Sequence, residues 1–273
     1  MSLSSAREDL TRARRIVIKV GTSTLAHAES GKLNLYRIER LVREISDLHN
    51  AGKEIIFVSS GAIAAGMNKL GIRVKPQTIP ENQALAAVGQ GVLMHIYEKF
   101  FAEYGQTIGQ VLLTKENAAD EHARENSRNA LSAILDMGAI PVINENDAVG
   151  VDEIRIGDND NLSALVAAMV DAEALIILSD IDGLYDGNPK LDTTARLIDE
   201  VATIDAEIER MAGGAGTKLG TGGMFTKIQA AKFATANGVT MLIVNGSKGG
   251  NIRRALNGEV VGTIFPRRTI AHA

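Results

Sequence analysis

The sequence contains no cysteine among its 273 residues. A disulfide framework and a thiolate metal site are therefore excluded, and the composition is compatible with a reducing cytoplasm, where we expect the protein. Basic residues are not in excess, because 29 lysines and arginines are outnumbered by 33 aspartates and glutamates, which gives a formal net charge of −4. Nucleic acid is not expected as a partner, since no basic stripe is available to neutralise phosphates.

Long hydrophobic runs are also absent. The apolar stretch at residues 172–178 is far too short to span a bilayer, so no membrane association is expected. Near the N-terminus, Lys19 interrupts the apolar run 16–20, and we expect no signal peptide. With 45% hydrophobic residues the chain can still bury a sizeable core, in one large domain or in two lobes.

The two standard nucleotide-binding signatures are missing. Residues 60–66 have the glycine spacing of a P-loop, but Met67 and Asn68 follow and no lysine is present. No G-x-G-x-x-G pattern follows the first predicted strand. The glycine-rich run 220–223 opens a predicted helix, whose free amide groups and dipole suit a phosphate. Taken alone, however, such a run more often forms a flexible loop.

Apolar segments of strand and helix character alternate along the chain. The predicted strands are residues 16–20, 54–58, 108–113, 139–143, 174–178, 240–244 and 260–265, and the predicted helices are residues 35–49, 82–104, 125–137, 162–169, 205–212 and 224–237. Residues 149–156 alternate weakly and could form a hairpin. The alternation predicts an α/β sandwich with a mainly parallel sheet, in one continuous domain whose two lobes change near residue 175.

Two short polar runs, residues 144–147 and 157–161, are separated by only nine residues. From Asn144 to Asn161 the chain carries six carboxylates, four asparagines and a single cation, Arg155. Asn, Asp and Gly are ordinary turn-forming residues, so a solvated loop is one interpretation. A predicted strand leads into the first run and a predicted helix leaves the second, and open sheets bind ligands at the carboxyl ends of strands. The pattern therefore favours a site for an amino group or a metal.

Lys19 is the second unusual feature. It lies inside an apolar strand that ends directly before Gly21, Thr22 and Ser23, and a lysine is costly to bury unless it has a function. A lysine at a strand end and another at a glycine-rich helix start could together hold a transferring phosphoryl group.

Five segments together resemble the amino acid kinase family, and within it the glutamate kinases. They are Val17–Ser23, Val58–Gly66, Pro141–Asp147, Gly157–Ala164 and Gly220–Lys227. The segments occur in the family's order, and the resemblance extends over about residues 15–265. It implies a three-layer αβα sandwich with a mainly parallel central sheet, an amino-acid-binding lobe at about 15–175 and a nucleotide-binding lobe at about 176–265.

The resemblance also implies an activity. This is the ATP-dependent phosphorylation of the γ-carboxylate of L-glutamate, the first step of proline biosynthesis, with Mg²⁺ bound mainly by ATP oxygens and water. Proline is implied as an end-product inhibitor, and a homo-oligomer, dimer or tetramer, as the assembly. Many relatives carry an additional C-terminal PUA domain, whereas this chain stops just after the kinase region, so functions of that domain are not carried over.

Five residues receive catalytic roles from the resemblance. Lys19 and Lys227 are expected to contact the phosphates and stabilise the moving phosphoryl group. Asp160 is expected to pair with both lysines and hold their ammonium groups in place. Backbone amides of Gly21 and Gly61 are expected to assist at the γ-phosphate.

The binding residues are implied in the same way. Glutamate is expected to be held by Ser60, Asn144, Asp147 and Asn159, with Asp147 opposing its α-ammonium group. ATP is expected to be bound by Lys19, Ser179, Asp180, Thr221, Gly222, Gly223, Met224, Phe225, Thr226 and Lys227. Phe225 replaces a residue that is usually small in this loop. No protein-built metal site is expected.

The histidines support a carboxylate as the acceptor. All five lie outside the motifs, at His27, His49, His95, His122 and His272. A glutamate carboxylate has a reference pKa of about 4.3 and is already an ionised nucleophile near neutral pH. Such an acceptor needs no general base, whereas an alcohol usually does.

Two alternatives stay open at this point. The acceptor could be another acid or a phosphate, because kinases of aspartate, N-acetylglutamate and uridylate belong to the same superfamily. The chain could also be a non-catalytic amino-acid-sensing module that retains the fold. Both lysines and Asp160 are present, which favours a catalyst.

Overall fold

The computed structural model describes residues 4–114, 120–150, 159–189, 191–213 and 223–268. The described strands are β1 (Arg15–Val20), β2 (Glu54–Val58), β3 (Ile108–Leu113), β4 (Ile140–Glu145), β5 (Ala174–Ser179), β6 (Thr240–Asn245) and β7 (Thr263–Phe265). The described helices are α1 (Ser5–Arg12), α2 (Thr22–Leu25), α3 (Leu35–Asn50), α4 (Ala62–Leu70), α5 (Ile79–Glu103), α6 (Glu121–Asp136), α7 (Asn159–Met169), α8 (Ala206–Gly213), α9 (Gly223–Ala236) and α10 (Asn251–Leu256). None of these helices is long and apolar enough to cross a membrane.

The chain forms two compact units. The first unit combines Met1–Lys19 with Asp160–Ala273, and the second is Val20–Asn159. The N-terminal segment thus belongs with the second half of the chain. The lobe change predicted near residue 175 lies inside β5, within the first unit.

The first unit is built on the strand order β1-β5-β6-β7. Strands β5 and β6 are parallel and in register from Ala174 opposite Thr240 to Ser179 opposite Asn245, and β7 runs antiparallel to β6. Every residue of β5 and β6 is buried. Such unbroken apolar strands are typical of parallel strands that are covered on both faces.

The second unit contains the strand order β3-β4-β2. Both pairs are parallel, with Ile108 opposite Ile140 and Phe57 opposite Val142. The ring of Phe57 packs edge-on against Tyr97, with 5.2 Å between the ring centroids. The mainly parallel α/β class predicted from the sequence is confirmed, whereas the predicted hairpin falls largely on residues 151–158, outside the described ranges.

Helices α4 and α5 pack with their backbones in direct contact. A Cβ atom at Gly89 would lie 1.7 Å from the carbonyl oxygen of Ala62, and one at Gly66 would lie 2.0 Å from that of Leu85. Only glycine fits at these two positions. Helix α4 begins after Gly61, whose φ of 95° is in the left-handed region. Because Gly89 contacts Ala62, the first residue of α4, the packing also holds the turn between β2 and α4 in place.

The glycine packing yields a stability prediction. Gly89→Ala is expected to lower the free energy of unfolding by about 3 kcal/mol, because the new methyl group meets backbone that cannot move aside alone. Gly91→Ala is the matched control on the same helix, since a Cβ there meets no atom within 4 Å. It is expected to raise the free energy of unfolding by about 0.5–1 kcal/mol. Denaturant unfolding of both variants measures the difference, and equal effects would contradict the packing.

Candidate active site

Three charged side chains of the first unit meet inside the protein. Lys19 comes from β1, Asp160 from the first turn of α7, and Lys227 from the first turns of α9. The Lys19 Nζ atom lies 2.6 Å from Asp160 Oδ1, and the Lys227 Nζ atom lies 3.0 Å from Asp160 Oδ2. The exposed fractions are 3% for Lys19, 0% for Asp160 and 8% for Lys227. The structure thus brings together the three charged residues that the sequence singled out.

The two lysines keep Asp160 ionised. Burial by itself raises the pKa of this carboxyl, but the charges and hydrogen bonds of Lys19 and Lys227 outweigh it, and the pKa lies below its ordinary value. Two buried cations share one carboxylate, so the three groups carry a formal charge of +1. A buried positive charge of this kind suits an anionic ligand such as a phosphate.

The start of α9 is tied to the same carboxylate. Thr226 Oγ1 donates to Asp160 Oδ2 at 3.0 Å, and Lys227 Nζ donates to the carbonyl oxygen of Gly223 at 2.8 Å. Met224 is half-buried and Phe225 is 37% exposed, so Phe225 points towards solvent at this point of the helix. Of the nucleotide-binding residues predicted in this segment, Thr221 and Gly222 lie outside the described residues.

Polar groups also gather where β5 and β6 end. Ser179 is buried and its hydroxyl donates to exposed Asp180 at 3.3 Å. Beyond them, Asp182 accepts from Asn245 Nδ2 at 2.9 Å and pairs with Lys248 at 2.7 Å. The hydrogen bond from Lys248 is the main cause that lowers the pKa of Asp182. Asp182, Asn245 and Lys248 were not predicted from the sequence, whereas Ser179 and Asp180 were.

The second unit holds a chain of amide side chains. Asn159 Nδ2 lies 2.7 Å from the carbonyl oxygen of Ser59, 2.8 Å from Ser60 Oγ and 2.9 Å from Asn144 Oδ1. Asn144 is buried, and its own Nδ2 donates to Gln90 Oε1 at 2.8 Å. Asn159 therefore bonds both Ser60 and Asn144, and the sequence assigned all three residues to the amino acid.

One oxygen in this group stands out. Asn159 Oδ1 is buried and has no hydrogen-bond partner within the part of the chain that the structure describes. A buried acceptor without a donor is costly, and the large majority of such atoms in folded proteins are paired. A ligand donor such as an ammonium group would satisfy it.

Asp147 lies in the turn after β4 and is half-buried. Burial raises the pKa of this carboxyl, and the nearby charge of Lys75 lowers it in part. An additional cation near Asp147 would stabilise its charged form further. The two glycines predicted to assist at the phosphate, Gly21 and Gly61, precede the first turns of α2 and α4, respectively.

Gln90 and Tyr97 on α5 were not found from the sequence. The Tyr97 hydroxyl lies 2.7 Å from Ser59 Oγ in the buried interior and so supports the turn that accepts from Asn159. Gln90 did carry a signal, because it is the only polar side chain between Ala84 and Met94. Polar residues inside an apolar helix usually have a partner, and here the partner is Asn144.

The three-dimensional fold is shared with solved kinases of small molecules. A UMP kinase from Bacillus anthracis has a TM-score of 0.63 at 16% identity and covers 94% of this chain and 97% of its own. An isopentenyl phosphate kinase has a TM-score of 0.64 at 22% identity, with 92% and 99% covered. Likeness at this identity shows the fold alone, and it confirms the amino-acid-kinase-like αβα fold predicted from the sequence.

Similarity in sequence reaches further. A family model described as the amino acid kinase family matches residues 14–245. The glutamate 5-kinase of Clostridium acetobutylicum is 56% identical over 96% of this chain and 98% of its own length. The glutamate 5-kinase of Moorella thermoacetica is 54% identical over 100% of this chain and 72% of its own length. The chain therefore belongs to the amino acid kinase family, in the group of the glutamate 5-kinases.

Proposed function

We propose that this protein transfers the γ-phosphoryl group of ATP to the γ-carboxylate of L-glutamate and forms L-glutamyl 5-phosphate, the first step of proline biosynthesis. The observation that carries the phosphoryl transfer is the buried cluster of Lys19, Asp160 and Lys227. The choice of glutamate is supported by relatives named glutamate 5-kinase that are 52–56% identical to this chain.

The reaction requires no proton transfer. A γ-carboxylate oxygen of glutamate forms a bond to the γ-phosphorus of ATP, the bond from that phosphorus to the β–γ bridging oxygen breaks, and ADP leaves. Negative charge moves onto the transferred group and the leaving oxygen during this step. Lys19 and Lys227 stabilise that charge, and Asp160 orients both ammonium groups without neutralising them fully.

The nucleotide is assigned to the first unit. Ser179 and Asp180 lie at the end of β5, where open parallel sheets bind ligands, and Gly223–Lys227 form the start of α9. Free amide groups at the start of that helix favour a phosphate. Gly21 and Gly61 are proposed to assist with their backbone amides.

Magnesium is proposed to arrive with ATP. Within the described ranges, no group of three or more His, Cys, Asp or Glu side chains could hold a metal ion. The cationic donor set of Lys19 and Lys227 suits phosphate oxygens and not a metal. Phosphate oxygens and water are the ligands that Mg²⁺ prefers in such reactions, and the ion supplies charge neutralisation when bound.

Glutamate is assigned to the second unit. Asn159 Oδ1 is the unsatisfied acceptor, and Asp147 is the half-buried carboxylate that gains from a cation, so both suit the α-ammonium group. Ser60 and Asn144 complete the group. We further propose a cytoplasmic homo-oligomer, on the support of the family resemblance.

The acceptor is tested by an assay with ATP and a panel of acids. Glutamate, aspartate and N-acetylglutamate are compared side by side, and acyl phosphates are trapped with hydroxylamine. Glutamate is expected to exceed the other two by about a hundredfold or more in kcat/KM. Aspartate is one methylene group shorter, so its side-chain carboxylate is placed differently, and N-acetylglutamate has no ammonium group. A higher value for another acid would replace glutamate as the substrate, and no turnover of any acid would favour the non-catalytic alternative.

The lysine cluster yields a prediction that separates charge balance from catalysis. Asp160→Asn leaves two buried ammonium groups without their shared carboxylate and is expected to cost about 3–5 kcal/mol of unfolding free energy. Lys227→Met is the matched variant, because it leaves the pair of Lys19 and Asp160 in balance. It is expected to change stability by less than about 1 kcal/mol, yet to lower kcat by about a hundredfold or more with little change in the KM for glutamate.

Asp160→Asn is expected to be less stable than Lys227→Met throughout the neutral pH range. The pKa of Asp160 is lowered in the folded protein, so its stabilising contribution is complete above its unfolded pKa and is lost only as the pH falls through the lower folded value. Denaturant unfolding at about pH 6 and pH 8 checks this order. If Asp160→Asn unfolds like the unaltered protein, the three charges are not coupled.

Proline inhibition yields a prediction about Asp147. Proline and glutamate both carry an α-carboxylate beside a cationic amine, so proline is expected to compete with glutamate and not with ATP. Asp147→Asn is expected to weaken both ligands in parallel, by about 2–5 kcal/mol, because each loses the partner of its cation. Asp136→Asn, at the exposed end of α6, is the control. Weaker glutamate binding with unchanged proline inhibition would indicate a separate inhibitor site.

A further inference from the structure

Gln90 is joined to the proposed glutamate site through one side chain. Its Oε1 atom accepts a hydrogen bond of 2.8 Å from Asn144 Nδ2. Asn144 Oδ1, at the other end of the same amide, accepts from Asn159 Nδ2 at 2.9 Å and from the backbone amide of Glu145 at 2.9 Å. The three amides of Gln90, Asn144 and Asn159 thus form a chain in which every link has a defined direction.

The direction follows from the partners at each link. Asn144 faces two donors on one side, Asn159 Nδ2 and the Glu145 amide, so its oxygen must point towards them. Its NH₂ group must then point towards α5, where it needs an acceptor, and Gln90 Oε1 is that acceptor. In the reversed orientation, the NH₂ group of Asn144 would face the two donors, and its oxygen would face Gln90 Oε1.

The direction of Asn159 depends on the same link. Its NH₂ group faces three acceptors, from Ser59, Ser60 and Asn144, so its Oδ1 atom is turned away from them. That oxygen is buried and has no partner among the described residues. Asn144 supplies one of the three acceptors, and it does so only in the orientation that Gln90 supports.

We propose that Gln90 is a positioning residue of the acceptor site: it fixes the amide direction of Asn144 and, through it, the presentation of Asn159 Oδ1 to the ammonium group of the substrate. Gln90 itself need not touch the substrate. This inference rests on the proposed function. Its consequence is selectivity, because an acid without an amino group gains nothing from the oriented oxygen.

The test compares two glutamines of the second unit. Gln90→Met keeps the length of the side chain and removes the oxygen that accepts from Asn144. The matched control is Gln106→Met, since Gln106 is also half-buried and also bonds an asparagine, with Nε2 2.9 Å from Asn50 Oδ1, but lies outside the amide chain. Gln90→Met is expected to raise the KM for glutamate about tenfold and to leave the KM for ATP within about twofold. Gln106→Met is expected to change neither.

Glutarate provides the second readout, because it is glutamate without the α-amino group. Gln90→Met is expected to lower kcat/KM for glutamate while leaving the low value for glutarate unchanged, so the ratio between the two acids falls about tenfold. A general loosening of the structure would lower both values together. Equal losses for both acids would therefore overturn the positioning role.

Conservative replacement keeps the test decisive if Gln90→Met does not fold. Gln90→Glu retains an oxygen that accepts from Asn144 and is expected to keep the KM for glutamate near that of the unaltered protein. Gln90→Asn is shorter by one methylene group, cannot reach, and is expected to raise it. If Gln90→Glu is no better than Gln90→Asn, the inference fails. If the unaltered protein does not phosphorylate glutamate at all, the proposed function fails first, and the two failures are thereby distinguished.

Discussion

The first unit depends on one buried carboxylate that two buried lysines share. Removing an ammonium group from water is costly, and a nearby carboxylate is the usual compensation. Asp160 serves both Lys19 and Lys227, which come from β1 and α9, at distances of 2.6 and 3.0 Å. A buried ion pair adds little net stability compared with apolar packing. We therefore attribute the cluster to its chemistry, which is to place excess positive charge where phosphate charge develops.

The second unit combines the carboxylate of Asp147 with a group of neutral dipoles. Ser60, Asn144, Asn159 and Gln90 form a connected group of hydroxyl and amide side chains. Amide and hydroxyl groups can bind the polar groups of an amino acid, and their directions are set by their neighbours. The close packing of α4 against α5 supports this group, because Gln90 and Tyr97 both lie on α5. Rigid support of this kind is what a selective polar site requires.

Much of the fold follows from sequence pattern. Strands β2 and β3 were predicted with the bounds that the structure has. For β2 the reason is local, because its apolar run lies between Gly52 and the turn residues 59–61. Helix α4 was not predicted, since the spacing of Gly61 and Gly66 was compared only with that of a P-loop. The left-handed φ of Gly61 and the close contact of Gly66 with the Leu85 backbone explain these two glycines. Lys19 was found because an isolated lysine in a buried strand is anomalous.

Other features depend on contacts that no local pattern encodes. Arg7 is buried and donates to the carbonyl oxygens of Asp199 and Val261, almost 200 residues away or more, although an arginine in a short N-terminal helix suggests exposure. Gln90 likewise has a role only once α5 lies beside the end of β4. The bond of Thr226 to Asp160 is of the same kind, because it joins residues from two separate helix starts.

We propose that Lys19 and Lys227 bind the γ-phosphoryl group more strongly during its transfer than they bind the phosphates of the nucleotide alone. Calorimetric titration with Mg²⁺, glutamate and ADP, with and without aluminium fluoride as a mimic of that group, tests it directly. The unaltered protein is expected to bind ADP about a hundredfold more tightly when the mimic is present. Lys227→Met is expected to lose most of that gain while its affinity for ADP alone changes little. An equal loss of both affinities, or no loss of either, would contradict the account.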